Sequence, residues 1–369
     1  MIFLTIIAFV VIFSVLILVH EFGHFFMARK AGIKVEEFGI GLPPRIKSLF
    51  KDKKGTMYSL NWIPFGGFVR LFGEDAVDEK ILKDKNSFAS KSLLKRTSVI
   101  LAGVFMNIVL AWVIITIGFS FGMKPFLVTQ EDMQAGIDSG LVETQQVLYI
   151  HEIVPGSPIA QSDIAPGDLI TEVDGEAVPE AEKLQEILGP NKNVNLKILR
   201  EEKDGMLNVT TDAEGKLGVV ISDEQIVVNV NKVKYPFYIA PLKAASEVGR
   251  LSVLTVKMLG DVVVSLVAKL TVPEGVAGPV GIAKMTNYFV KQGFMAVLQF
   301  TALISISLGV INAMPFPALD GGRFLFIVYE IITRRKANAK MESVIHSIGF
   351  ALLMLLIVVI TWHDIMNLF

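Results

Sequence analysis

The sequence predicts a polytopic α-helical membrane protein of four transmembrane helices, interrupted by one soluble α+β insertion. Three observations predict it. Of 369 residues, 52% are hydrophobic and only 19% charged. The mean hydropathy is +0.55. Four apolar runs are long enough to cross a bilayer. Thirty-five Lys+Arg against 36 Asp+Glu give a formal net charge of −1, so no global basic field recruits nucleic acid, and that partner class is excluded. The absence of cysteine excludes a disulfide framework, a thiolate zinc site, an iron–sulfur cluster and a cysteine nucleophile. Any metal must be held by nitrogen and oxygen.

Residues 1–19, MIFLTIIAFVVIFSVLILV, carry no charge and as a helix cover roughly 28 Å of hydrocarbon. There is no basic leader, and the run continues into HEFGHFFMARK rather than a small-residue cleavage site, so 1–28 is expected to be a retained span. Further spans are expected at 98–121 (within 97–123), at 295–314 (opening a segment 295–333) and at 344–361. The run at 251–270 is interrupted by Lys257, Asp261 and Lys269. It is expected to be an interfacial amphipathic helix within a linker, 226–294. Residues 29–96 hold 15 Lys+Arg and 8 Asp+Glu, whereas 124–291 hold 15 and 23. With Arg334, Arg335, Lys336 and Lys340 between the last two spans, this asymmetry places 29–96 in the cytoplasm and both termini and the long acidic segment outside.

Within 29–96, residues 56–71 alternate strand formers around Pro64–Gly67 and predict a β-hairpin. Residues 125–225 leave the membrane pattern for short strands broken by turns, among them VLYIHEIV, PGDLITEVDGEAV, NVNLKILR and KLGVVIS, and predict a small soluble domain. His151, on its first strand, has no second ligand at metal spacing and is expected to be an ordinary half-buried histidine.

The chemistry centres on His20, Glu21 and His24. Imidazoles at i and i+4 share a helix face and suit a zinc ion, while Glu21 beside them can deprotonate the attacking water and protonate the leaving amine. H-E-x-x-H alone is a weak motif, and two interfacial histidines anchoring a helix end are the plainer alternative. Here the triad adjoins an uninterrupted apolar span, where ionisable groups are costly and mark function. A hydrolytic site needs a third ligand and an open position. Asp320, in Asn312-Ala-Met-Pro-Phe-Pro-Ala-Leu-Asp320-Gly-Gly-Arg323, follows two prolines that break an apolar helix at membrane depth, which is tolerated only where backbone is buried in protein or lines a wet cavity. The topology puts Asp320 at the level of the histidines; a capping or snorkelling carboxylate is its alternative. Asn107 is expected to make an interhelical hydrogen bond, and Asn312 to hold either a neighbouring helix or the substrate backbone.

Two resemblances follow from these motifs. The order V-P-G-S-P-I-A, I-A-P-G-D-L-I and V-D-G-E-A-V from Val154 to Val178 resembles PDZ domains attached to bacterial envelope proteases, implying a strand-edge groove for an extended peptide or a steric cap over the membrane site. HEFGH, that insert, GPVGI at 278–282 and NAMPFPALDGG together resemble the site-2 protease family of intramembrane zinc metalloproteases, RseP-like. That resemblance covers nearly the whole chain. It implies a bacterial inner-membrane enzyme with an extracytoplasmic PDZ-like α+β domain, a membrane-associated β-hairpin and an active site near the cytoplasmic side. It further implies zinc held by His20, His24 and Asp320, with Glu21 as catalytic base. Substrates would be single-span proteins of the anti-sigma factor or remnant signal peptide type, contacted by Asn312, Gly66 and Gly67. The chain departs from the RseP pattern in having room for one PDZ-like domain rather than two, and in lacking a proline after glycine in the second span. Two other functions compete: a non-catalytic PDZ-bearing membrane adaptor, for which Glu21 is dispensable, and a metal or proton transporter, for which the repeated halves with paired broken helices are absent.

Overall fold

The computed structural model describes residues 2–74, 78–200, 203–268, 277–335 and 337–366; Lys269 and Lys336, used above, lie outside them. In chain order the elements are α1 (Ile2–Lys30), β1 (Val35–Lys51), β2 (Met57–Leu71), α2 (Glu79–Lys83), α3 (Leu93–Phe121), α4 (Gln130–Asp138) and β3 (Val142–Ile153). There follow β4 (Leu169–Val173), β5 (Glu176–Ala177), α5 (Ala181–Ile187), β6 (Asn193–Arg200), β7 (Lys203–Thr210) and β8 (Val219–Val230). The chain closes with α6 (Ala240–Ala268), α7 (Pro279–Gln292), α8 (Phe294–Ala313), α9 (Asp320–Thr333) and α10 (Ala339–Met366). Two compact units result, Lys124–Val233 and the remainder.

In the larger unit four helices among the described residues, α1, α3, α8 and most of α10, are long and apolar enough to cross a membrane. Helix α3 packs against α1, α6, α8 and α9. The amphipathic segment begins earlier than the charge pattern suggests. Helix α6 starts at Ala240 and buries Ala240, Ala244, Val248 and Leu251, a single stripe at i, i+4, i+8 and i+11. Pro279 occupies the first turn of α7, where a missing N–H costs nothing.

The β-element differs from the expected hairpin over 56–71. The halves of β2 do not pair with each other. Phe38 lies between Val69 on one side and Tyr58 on the other, and Ser59 in turn lies between Gly39 and Ser48. The order is therefore 45–51, 57–61, 35–40, 67–71, with the outer pairs antiparallel and 67–71 an edge. At Pro64–Gly67 the chain swings across the 35–40 segment instead of reversing tightly. Gly66 takes φ +88, and the Pro64 carbonyl accepts from Ser14 Oγ at 3.2 Å. The central segment escaped detection because VEEFGI carries two acids; Glu37 is nonetheless buried, held by Arg45 through Nε at 3.1 Å and Nη2 at 2.6 Å. This sheet runs beside α1 from Arg29, which pairs with Asp52 and Thr56, to Ser14, about 22 Å along a helix.

The smaller unit is a sheet of order β7-β6-β4-β3-β8, with β5 paired to β4. Its last strand reaches Val230, past the expected limit at 225. Val194, Leu196 and Ile198 of β6 are buried in alternation, the pattern of a sheet with one covered face. They join Leu148, Ile150, Ile170 and Val173 in one core, each large side chain contributing about 1.5 to 3 kcal/mol. Asp174 and Gly175 both take positive φ, 52 and 85, as a two-residue hairpin between β4 and β5 requires. Thr129 and Asp132 form a capping box on α4. His151 donates to or accepts from Ser222 Oγ at 2.8 Å. Arg200 grips the buried Asp168 through Nε and Nη2, both at 2.7 Å.

That grip holds the Asp168 carboxyl below the ordinary carboxylate range. A depressed folded value means the stabilisation is complete above the unfolded value near 3.9 and is lost as pH falls through the folded one. Asp168→Ala is expected to destabilise this unit by about 1.5 to 3 kcal/mol at neutral pH and to remove that acid-dependent loss. Amide hydrogen exchange of β4 and β6 in the full chain from pH 7 to 3 checks it.

Candidate metal centre

His20 and His24 project from one face of α1, one turn apart, and both are buried. They meet the third span where it breaks. Helix α8 stops at Ala313, residues 314–319 form a tight loop, and Asp320 opens α9, where the helix dipole favours a carboxylate. His20 Nε2 lies 3.1 Å and His24 Nε2 3.3 Å from Asp320 Oδ2. The two Nε2 atoms are 3.1 Å apart. Among the described residues these three form the group of His, Asp or Glu side chains close enough to share a cation.

The far side of each ring is also engaged. His24 Nδ1 is 2.8 Å from the Val99 carbonyl, so that nitrogen carries the proton and Nε2 the lone pair. His20 Nδ1 is 3.3 Å from the Asn107 side-chain amide, and Asn107 is fully buried. The amide nitrogen Nδ2 is the atom that faces the ring, so it donates to Nδ1; turning the amide over would let its otherwise unpartnered oxygen accept from Nδ1–H and free the second Nε2 for a metal. Two Nε2 atoms and the Asp320 carboxylate oxygen thus face one point, where either a shared proton or a cation can join them. Asn107 makes the interhelical bond expected of it, and its partner is a ring of the site. The signal that could have found it is Gly103-x-x-x-Asn107, a small residue and an amide on one helix face. A Cβ on Gly103 would lie 2.4 Å from His24 Nε2 and 2.7 Å from His20 Nε2, so only glycine leaves the rings their room.

Glu21 belongs to a different contact. Its Oε2 accepts from the Val69 N–H at 2.9 Å, which fixes the carboxylate against the 67–71 sheet edge, within electrostatic reach of His20, His24 and Asp320. Gly66 and Gly67 sit where that edge crosses α1. A Cβ on Gly67 would meet Leu18 Cδ2 at 2.8 Å and the Gly39 carbonyl at 2.9 Å, and one on Gly66 would meet Ile17 Cδ1 at 3.3 Å. Both serve close approach of sheet and helix. Asn312 lies half-buried in the last turn of α8.

Sequence comparison with known proteins points to one family. The model of peptidase family M50 matches residues 8–356. A putative zinc metalloprotease of Clostridium perfringens is 34% identical, over 96% of each chain. Another from Clostridium acetobutylicum is 29% identical over 98% of each, and the regulator of sigma-W protease RasP of Bacillus subtilis is 27% identical over 99% of each. Among solved structures, the PDZ domain of an SdrC-like protein from Listeria innocua aligns with 20% of this chain and 92% of its own, at 18% identity and a TM-score of 0.19.

Gly103→Ala is expected to abolish the convergence of the two imidazoles while leaving the spans inserted. Elemental analysis of the purified protein should show bound metal falling from near-stoichiometric to trace, against an unchanged Gly249→Ala control, since a Cβ at Gly249 meets nothing within 4 Å.

Proposed function

The chain belongs to peptidase family M50, and on that premise we propose that it is a membrane-embedded zinc metalloendopeptidase that cuts single-span membrane proteins within their transmembrane segments. The observation that carries this is the convergence of two Nε2 atoms and one carboxylate oxygen within 3.3 Å of one another, beside a glutamate anchored to a strand edge. Two imidazoles and a carboxylate with a position left open suit catalytic zinc. Their spacing approaches the edge of a tetrahedron with bonds of about 2.1 Å, roughly 3.4 Å. His20, His24 and Asp320 would hold the ion, which supplies Lewis acidity toward the scissile carbonyl and acidifies water.

Glu21 then takes the proton of the attacking water on its carboxylate and returns it to the leaving amide nitrogen. The sheet prepares the substrate. Along an antiparallel edge, backbone groups point alternately to the partner strand and away from it; the Val69 N–H, bonded to Glu21, is one of the latter. A transmembrane helix satisfies all its own backbone groups and resists opening where water is absent. An added strand along Gly67–Leu71 supplies replacement partners and presents an extended chain beside Glu21.

The charge asymmetry supports a topology with 29–96 and the metal centre toward the cytoplasm of a bacterial inner membrane and residues 124–233 outside. In that unit β8 is an outermost strand, with α5 beside it through the Ala181 N–H bonded to Asp223 at 2.9 Å. That open edge is the peptide-accepting groove of the PDZ-like reading, through which the unit filters substrates. The sigma-W relative points to anti-sigma factors as the substrate type.

Glu21→Gln should keep its zinc and lose cleavage of a co-expressed single-span substrate by at least about 100-fold, whereas Asp320→Ala should lose the zinc; cleavage surviving in Glu21→Gln refutes the enzyme. Val69→Pro removes only an outward N–H, which an edge strand tolerates. It should retain zinc yet slow cleavage about tenfold or more, read by metal analysis alongside a peptide assay.

A further inference from the structure

The loop that carries Asp320 is held in an unusual shape from outside. Within it, the Phe316 N–H donates to the Met314 carbonyl at 2.7 Å and the Leu319 N–H to the Phe316 carbonyl at 3.1 Å. A Cβ on Gly321 or Gly322 would lie 2.1 Å from the Met314 oxygen or 2.3 Å from the Phe316 oxygen, so the loop presses directly on the start of α9. Between them Ala318 takes φ +79, a left-handed conformation that residues with a Cβ rarely adopt.

What holds Ala318 there comes from the last span. Its N–H donates to His346 Nδ1 at 2.9 Å. One turn along α10, a Cβ on Gly349 would lie 2.3 Å from Pro317 Cβ and 2.6 Å from the Pro317 oxygen, so helix and loop touch at two successive points. The rest of α10 is largely exposed along its length, with Val344, Ile348, Phe350 and Leu352 all more than half accessible. A histidine in a membrane-spanning segment is costly unless it has a task.

We propose that His346 is a positioning residue for Asp320. As an acceptor at Nδ1 it keeps Ala318 in its left-handed conformation, and so sets the direction in which Asp320, two residues on, presents Oδ2 to His20 and His24. The inference rests on the zinc reading above and extends the metal centre to the fourth span, which contributes no ligand.

The test uses the full-length protein in detergent, with zinc affinity measured by competition with a chromophoric chelator and thermal unfolding of the zinc-free protein in parallel. His346→Phe keeps an aromatic ring near Phe326, which the histidine ring faces at 5.6 Å, but removes the acceptor. It is expected to weaken zinc binding about 10- to 100-fold with little change in the zinc-free unfolding midpoint. His346→Asn places an oxygen where Nδ1 was and should restore affinity to within about threefold of wild type. In an Ala318→Gly background the same His346→Phe change should cost much less, because glycine adopts this φ unaided. Wild-type affinity in His346→Phe overturns the proposal, as does equal weakening by Phe and Asn, or an undiminished loss in the glycine background. A wild-type protein that takes up no zinc overturns the zinc reading itself and this inference with it.

Discussion

Two imidazole nitrogens and a carboxylate oxygen held within 3.3 Å of one another at membrane depth are the constraint that the rest of the membrane unit serves. Ionisable groups are costly in a medium without water, so such a cluster needs backbone that brings its members together. What does so is an unusually close crossing of α1 and α3. A Cβ on Gly23 would stand 2.3 Å from the Ala102 carbonyl oxygen, and one on Gly103 would strike both imidazoles. Small residues at this crossing let the helices touch backbone to backbone. That contact in turn brings the Val99 carbonyl and the Asn107 amide within reach of the two Nδ1 atoms.

Each participating group is then steadied by a different element. The rings lean on α3, Glu21 on the sheet edge, and Asp320 on a loop braced by α10. Charge pairs tie these supports together below the site. Arg96 of α3 meets Glu330 of α9 at 2.6 Å, Arg323 of α9 pairs with Glu74 just beyond β2, and Arg29 of α1 pairs with Asp52 in the turn between β1 and β2. Partly buried pairs of this kind add little net stability but do fix relative orientation. Orientation is what a metal site needs, because ligands displaced by even 1 Å bind poorly.

How much of this was legible in the sequence follows from the range of each interaction. H-E-x-x-H reports itself, since i and i+4 share a helix face whatever the fold. The spans report themselves through length and apolarity, and the Pro-interrupted stretch ahead of Asp320 marks a broken helix. What the sequence left out depended on partners far away in the chain. The interhelical bond of Asn107 was expected, but its partner, a ring 87 positions earlier, is not named by the residue type alone. The sheet order was misjudged because alternation in 57–71 says that strands exist but not that 35–40 lies between them. His346 gave no signal, since one histidine in an apolar helix has no spacing to read, and the positive φ of Ala318 is invisible without coordinates.

The bond between the Val69 N–H and Glu21 makes the position of the proposed base and the position of the strand a single quantity. A helical segment arriving from the bilayer must lose several internal hydrogen bonds before any peptide bond lies open to attack, and no water is at hand to replace them. In the proposed mechanism the outward groups of 67–71 take their place, beside the Glu21 carboxylate proposed to receive the proton. Were the edge strand free to slide, extended substrate and base would fall out of register by one residue, which in a strand turns every group to the opposite side. Gly66 and Gly67 exclude that slip: the edge is wedged so tightly against Ile17, Leu18 and Gly39 that even a methyl group would not fit at Gly67. The helix that supplies the histidines therefore also sets the register of the strand.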